Sequence, residues 1–146
     1  MELNTRGRYA VMALADLARH GGAEALPLAV ISERQQISIA YLEQIFLKLR
    51  KAEVVESARG RSGGYRLARP ADRISIAEIM AAVEEPWEMT RCRTTGEAGC
   101  VAHSRCLTHD LWDALSEHIQ SFLQQATLAD TVGGVFARRK AGVAAE

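Results

Sequence analysis

The sequence lacks any apolar stretch long enough to cross a bilayer, because charged residues interrupt every candidate run. Its first residues, Met1-Glu2-Leu3-Asn4-Thr5-Arg6, have none of the apolar run that a secretory signal needs, so a cytoplasmic location is expected and no membrane partner. Cysteine is scarce: three thiols cannot all pair, and without an export signal a disulfide framework explains them poorly. No nucleophile-base pair and no open-site metal motif is visible, which predicts that the protein is not an enzyme and has no small-molecule substrate. There is no internal repeat and no linker long enough to separate two domains. Nor is there an excess of charge, with 18 Lys+Arg against 18 Asp+Glu. Taken whole, that neutrality argues against a nucleic-acid partner.

The distribution of charge reverses this inference. Residues 1–69 hold 11 of the Lys and Arg and 7 of the Asp and Glu, and residues 70–146 hold the complement, so the chain is a charge dipole. Lys48, Arg50, Lys51, Arg59, Arg61, Arg66 and Arg69 crowd together against only Glu53 and Glu56, a density that attracts a phosphate backbone. With 48% hydrophobic residues in 146, the chain also has enough apolar side chain for one core.

Apolar spacing organises that core. Three- and four-residue steps through Tyr9, Val11, Met12, Leu14, Leu17 and Ala18 predict a helix from Thr5 to His20, stopped by Gly21-Gly22. Pro27 opens a short helix, Leu28 to Gln35, and Ser38 is placed to cap a third that runs to about Ala52. Ile39, Leu42, Ile45, Phe46 and Leu49 form its inward face. Val54 to Arg59 and Tyr65 to Leu67, joined through Gly60-Arg61-Ser62-Gly63-Gly64, read as a hairpin. Ser75 caps a helix from Ile76 to Glu84, ended by Pro86. A long amphipathic helix from Leu107 carries Leu111, Trp112, Leu115, Ile119, Phe122 and Leu123, and Thr127 to Asp130 has the spacing of a capping box for a short helix.

The fold expected is mainly α with a small β-hairpin wing: a winged helix-turn-helix domain over 1–86, a cysteine-bearing loop over 87–106, a dimerisation helix region over 107–133 and a disordered tail over 134–146. In such a domain a helix fills the major groove and the wing reaches phosphates or the adjacent minor groove. Ser38, Ala40, Tyr41, Glu43 and Gln44 occupy the turns that would face base edges. Gln44 can bond adenine bidentately and Glu43 can accept from a cytosine amino group. Glu43 repels phosphate, so it acts as a specificity element or else is a solvated helix residue paired with Lys48 or Arg50. Arg59, Gly60 and Arg61 form the wing tip, with Lys48, Lys51 and Arg66 as phosphate contacts or solvated charges. One winged module is a small interface, about 600–1,000 Å², so a homodimer on a double-stranded DNA operator is expected, packed through Leu111, Leu115, Ile119 and Phe122.

Cys92, Cys100, Cys106 and His109 follow the pattern C-x7-C-x5-C-x2-H, with Cys106 and His109 three apart at the start of the long helix. His103 is an alternative fourth ligand. Three thiolates and an imidazole suit zinc or an iron-sulfur cluster. The long spacers match tight zinc pairs poorly and favour a 2Fe-2S cluster. The alternatives are a zinc-stabilised transcription factor and an iron-sulfur electron or cluster carrier that does not bind DNA.

The segments Arg6-Gly7-Arg8-Tyr9-Ala10, Ile31-Ser32-Glu33-Arg34-Gln35, Tyr41-Leu42-Glu43-Gln44, Arg59-Gly60 with Gly63-Gly64-Tyr65, and Cys106-Leu107-Thr108-His109 resemble the IscR family of bacterial iron-sulfur cluster regulators, a match running to about Val132. The resemblance implies a homodimeric repressor and activator of iron-sulfur assembly genes, with a 2Fe-2S cluster on Cys92, Cys100, Cys106 and His109. It also implies that Glu43 helps select promoter sequences and that Ser38, Gln44, Arg59 and Gly60 lie at the DNA. Three positions depart from the family pattern: seven rather than five residues separate Cys92 from Cys100, Ala40 stands where Ser is frequent, and Arg61 stands where Pro is common.

Overall fold

The computed structural model describes residues 5–85 and 105–138. Cys92, Cys100 and His103 lie outside the described residues, as do residues 139–146. Helix α1 (Thr5–His20) packs against α2 (Leu28–Gln35) and α3 (Ile39–Lys51), and a hairpin of β1 (Val55–Ala58) and β2 (Gly64–Leu67) follows. A 3-10 turn at Ala71–Arg73 leads into α4 (Ile76–Ala82). After the undescribed stretch come α5 (His109–Gln125) and α6 (Leu128–Val132).

Apolar periodicity places the core where these elements meet. Leu14 and Leu17 of α1, Ile31 of α2, Leu42, Ile45, Phe46 and Leu49 of α3, Val54 and Val55, Ile79 of α4 and Leu128 of α6 are all buried. Ile39 departs from the expected inward face and is exposed. It is the first helical residue, with no preceding turn to cover it, and Ile37 in the connecting turn fills the core instead.

Local chemistry starts and stops the helices. The Ser38, Ser75 and Thr127 side chains accept from the backbone N–H of Tyr41, Glu78 and Asp130, as N-caps do. At Thr127 the Asp130 carboxylate also accepts from the cap N–H at 3.0 Å, completing the capping box with the shorter acid. Helix α4 ends earlier than expected, at Ala82, because Glu84 takes a left-handed conformation (φ 57°) while the Glu85 N–H bonds back to Met80 O at 2.9 Å.

The hairpin pairs Val55 with Leu67 through Ala58 with Gly64. Leu26 adds an unforeseen bridge on the other edge of β2, a rung from a third segment: its N–H and C=O bond Tyr65 at 2.8 and 2.9 Å. That rung explains Gly64, where a Cβ would stand 2.3 Å from the Leu26 carbonyl oxygen.

Two segments far apart in sequence are clasped. Ile76 N–H donates to Ala126 O and Leu128 N–H to Ile74 O, both at 2.9 Å, so the α5–α6 junction is tied to the start of α4. Helix α5 itself buries only His109 and Ser116. Residues 135–138, where a disordered tail was expected, are helical, and Phe136 meets Phe122 with ring centroids 5.8 Å apart.

Candidate nucleic-acid interface

A helix can enter a groove only if its neighbours hold it by the opposite face. Helix α2 is anchored to α1 by the buried Asp16, which pairs with Arg34 at 2.8 Å and accepts from Gln35 Nε2 at 2.7 Å. The turn into α3 is set by Gln36 in the left-handed region (φ 56°) and by the Ser32 hydroxyl, which donates to Ile37 O at 2.6 Å. Phe46 and Tyr65, edge to face at 4.9 Å, then lock α3 to the hairpin.

What remains outward on α3 is Ser38, Ile39, Ala40, Glu43, Gln44, Leu47, Arg50 and Lys51, all exposed. The expected readers Ser38, Glu43 and Gln44 therefore share one surface. Tyr41 lies at its edge, half-buried, with its ring edge-on to Tyr9 at 5.9 Å. Ile39 and Leu47 are apolar side chains on this face that the spacing argument assigned inward or passed over. Such groups meet thymine methyls in a major groove. Their signal was large apolar residues on a helix whose inward face was already complete.

The hairpin tip exposes Arg59, Gly60, Arg61 and Ser62. Gly60 has φ 108°, a conformation side chains disfavour, and its Cα faces open space, so the tip backbone can approach a surface closely.

The basic cluster divides in two. Lys48 is bound to Glu84, Arg66 to Glu56 at 3.0 Å and Arg69 to Glu78. Among the described residues Arg50, Lys51, Arg59 and Arg61 have no ion-pair partner, and they sit on the outward α3 end and the wing tip. Glu43 is not paired with Lys48, whose carboxylate is Glu84. The Lys48 ammonium, by hydrogen bond and by charge, with smaller help from Arg6 and Lys51, holds the Glu84 carboxyl below its usual range.

At the root of α5 the chain makes a tight turn in which His109 N–H donates to Cys106 O at 3.1 Å. The helix begins at His109 rather than Leu107, so this turn, not a shared helix face, brings the two residues together. The His109 residue is buried, Cys106 is half-buried and its Sγ lies 3.5 Å from Thr108 Oγ1. Among the described residues no group of three or more His, Cys, Asp and Glu is placed to hold a metal ion. Of the stripe expected to mediate dimerisation, Leu111 and Phe122 are exposed, and Leu115 and Ile119 half-buried.

A capped helix presented outward beside a glycine-tipped basic wing defines a winged helix-turn-helix DNA-binding protein. The chain belongs to the Rrf2 family of iron-dependent transcriptional regulators, which it matches over residues 3–134. It is similar to the HTH-type transcriptional regulators IscR of Sodalis glossinidius, 51% identical over 90% of this chain and 79% of the relative, and of Xenorhabdus nematophila, 52% identical over the same shares. Among solved structures, T. potens IscR superposes with TM-score 0.75 at 34% identity, covering 92% of this chain and 88% of that one. CymR, the global cysteine regulator of B. subtilis, superposes with TM-score 0.78 at 27% identity over 91% and 97%. These relatives are DNA-binding regulators rather than enzymes, and so is this chain.

Proposed function

We propose that this regulator controls iron-sulfur cluster assembly genes through a 2Fe-2S cluster held by Cys92, Cys100, Cys106 and His109. It works in the cytoplasm as a homodimer on a double-stranded DNA operator, repressing some promoters and activating others. The observation that carries the reading is the Cys106–His109 turn at the root of α5, a helix whose far end is clasped to the winged domain. A thiolate and an imidazole in one turn are a donor pair suited to iron. The similarity to IscR of two organisms supports the same assignment. The likeness to a cysteine regulator means that the fold alone does not name the signal, so the donor residues carry the weight.

The division of labour follows from exposure and charge. Glu43 and Gln44 read base edges, Ser38 starts the reading helix, Arg59, Gly60 and Arg61 approach the minor groove, and Tyr41 and Lys48 flank them. The bound cluster supplies a redox-active, removable cross-link among its four ligands. Cys106 and His109 transmit its presence to α5, and the clasp at Ile74–Ile76 transmits it to the domain that carries α3. Dimerisation rests on the exposed Leu111 and Phe122 together with Leu115 and Ile119.

The test is iron, acid-labile sulfide and zinc content of protein purified without oxygen, for wild type and His109→Ala. Two irons and two sulfides per chain in wild type, diminished in the variant, are expected for a 2Fe-2S cluster. One zinc without sulfide would make the site structural and leave only the DNA-binding regulator.

A further inference from the structure

At the edge of the outward face of α3, the half-buried Lys48 meets an acidic residue from another element. Glu84 follows α4 in the left-handed conformation, and its carboxylate binds the Lys48 ammonium across 36 positions of sequence. The turn that presents it is firmly seated. Arg6 donates to Val83 O at 3.3 Å, and the buried Glu85 side chain packs so close to α1 that a Cβ at Gly7 would lie 2.8 Å from its Cγ. Glu84 itself projects outward with a side chain 73% exposed, and Lys48 keeps 32% of its own surface. Lys48 lies one turn beyond Gln44 on the helix that faces DNA. A phosphate and the Glu84 carboxylate are alternative partners for the same ammonium, and both pairings are within reach of solvent.

We propose that Glu84 sets the DNA affinity of this protein by competing with backbone phosphate for Lys48. The proposal rests on the DNA-binding reading of α3 and is independent of the cluster. Because a phosphate contact carries no sequence information, the competition weakens binding to all duplexes alike and leaves base preference untouched. It is thereby separable from the role of Glu43, which depends on sequence. With Glu84 in place, Lys48 reaches a phosphate only after giving up a carboxylate. Without it, the cation is available to DNA at once.

The test is a double-mutant cycle on the full chain with Glu84→Gln, Lys48→Gln and the pair, titrated into a mixed-sequence duplex and an A·T-only duplex across a salt series. Circular dichroism and thermal melting check that each variant folds, with Glu84→Ala as a second carboxylate deletion. Glu84→Gln is expected to tighten binding to both duplexes by roughly two- to fivefold at low salt, the factor an exposed ion pair is worth. It should also steepen the slope of log K against log salt by about 0.9 per chain. In the Lys48→Gln background the same change should have no effect. Unchanged affinity in Glu84→Gln, or a gain that persists without Lys48, would overturn the proposal, the latter by showing plain repulsion between Glu84 and DNA. Wild-type protein that binds neither duplex at any salt would remove the DNA-binding reading as well, a result distinct from variants that bind just as wild type does.

Discussion

Glu43 and Arg59 are both exposed and charged, yet the proposed contacts with DNA would be of opposite kinds. A carboxylate on α3 is tolerated only where a base donates to it, whereas a guanidinium on the wing is welcome beside any phosphate. Glu43→Ala is therefore expected to relax sequence preference by about 1–3 kcal/mol at one base position while leaving the salt slope unchanged. Arg59→Ala should lower affinity for every duplex and flatten that slope. Binding competition across a randomised duplex library at several salt concentrations reads both. Unaltered preference in the first variant would remove Glu43 as a reader. Gly64 has a role of another kind, since its hydrogen faces the Leu26 carbonyl. Gly64→Ala should destabilise the protein by about 1–3 kcal/mol in urea unfolding, the range of an overpacked site that must shift backbone. Side chains whose work is local were readable in advance: Ser38, Ser75 and Thr127 act on an N–H three residues away, so spacing alone announces them. Partners such as Glu84 for Lys48, or Asp16 for Gln35 at 19 positions, depend on how helices cross, and no local pattern encodes that.

Among the elements, α6 shows how a short helix can matter more than a long one. It has five residues, yet Leu128 is fully buried in the winged domain's core, while the 17 residues of α5 bury only His109 and Ser116. Leu128→Ala is expected to cost about 2–5 kcal/mol by leaving a cavity. Thr127→Ala should cost about 0.5–2 kcal/mol by removing the cap. Urea midpoints at unchanged m-value would check both, and a Leu128→Ala protein as stable as wild type would place the helix outside the cooperative core. The existence of α1 to α6 was legible from apolar spacing and caps, whereas the helical residues 135–138 were not. Boundaries were less so where backbone conformation, not hydrophobicity, ends the element. Glu84 terminates α4 by adopting φ 57°, and the Cys106–His109 turn delays α5 by two residues. Ile39 was misassigned for a related reason: periodicity gives the direction of a helix face but not how far the neighbouring elements extend along it.

At the scale of the whole molecule, α5 presents Leu111 at 61% and Phe122 at 49% exposure, large apolar groups that a lone chain leaves to water. If a second copy covers them, Leu111→Glu should shift the sedimentation coefficient from dimer to monomer and weaken operator binding by much more than the single module's share. A variant that remains dimeric would redirect attention to other faces. The net neutrality that first spoke against nucleic acid resolves by geography: Arg50, Lys51, Arg59 and Arg61 are exposed at the end of α3 and on the wing tip, and the balancing acids lie mostly in the second half of the chain. The ladder joining Ile74 and Ile76 to Leu128 and Ala126 also makes the intervening chain a closed loop about fifty residues long. The entropy of closing a loop grows only with the logarithm of its length, so two extra residues inside it change stability by well under ~0.1 kcal/mol. The seven-residue spacing between Cys92 and Cys100 is thus nearly invisible to folding, and evolution can resize that cysteine-bearing segment while the rest of the protein stays as it is.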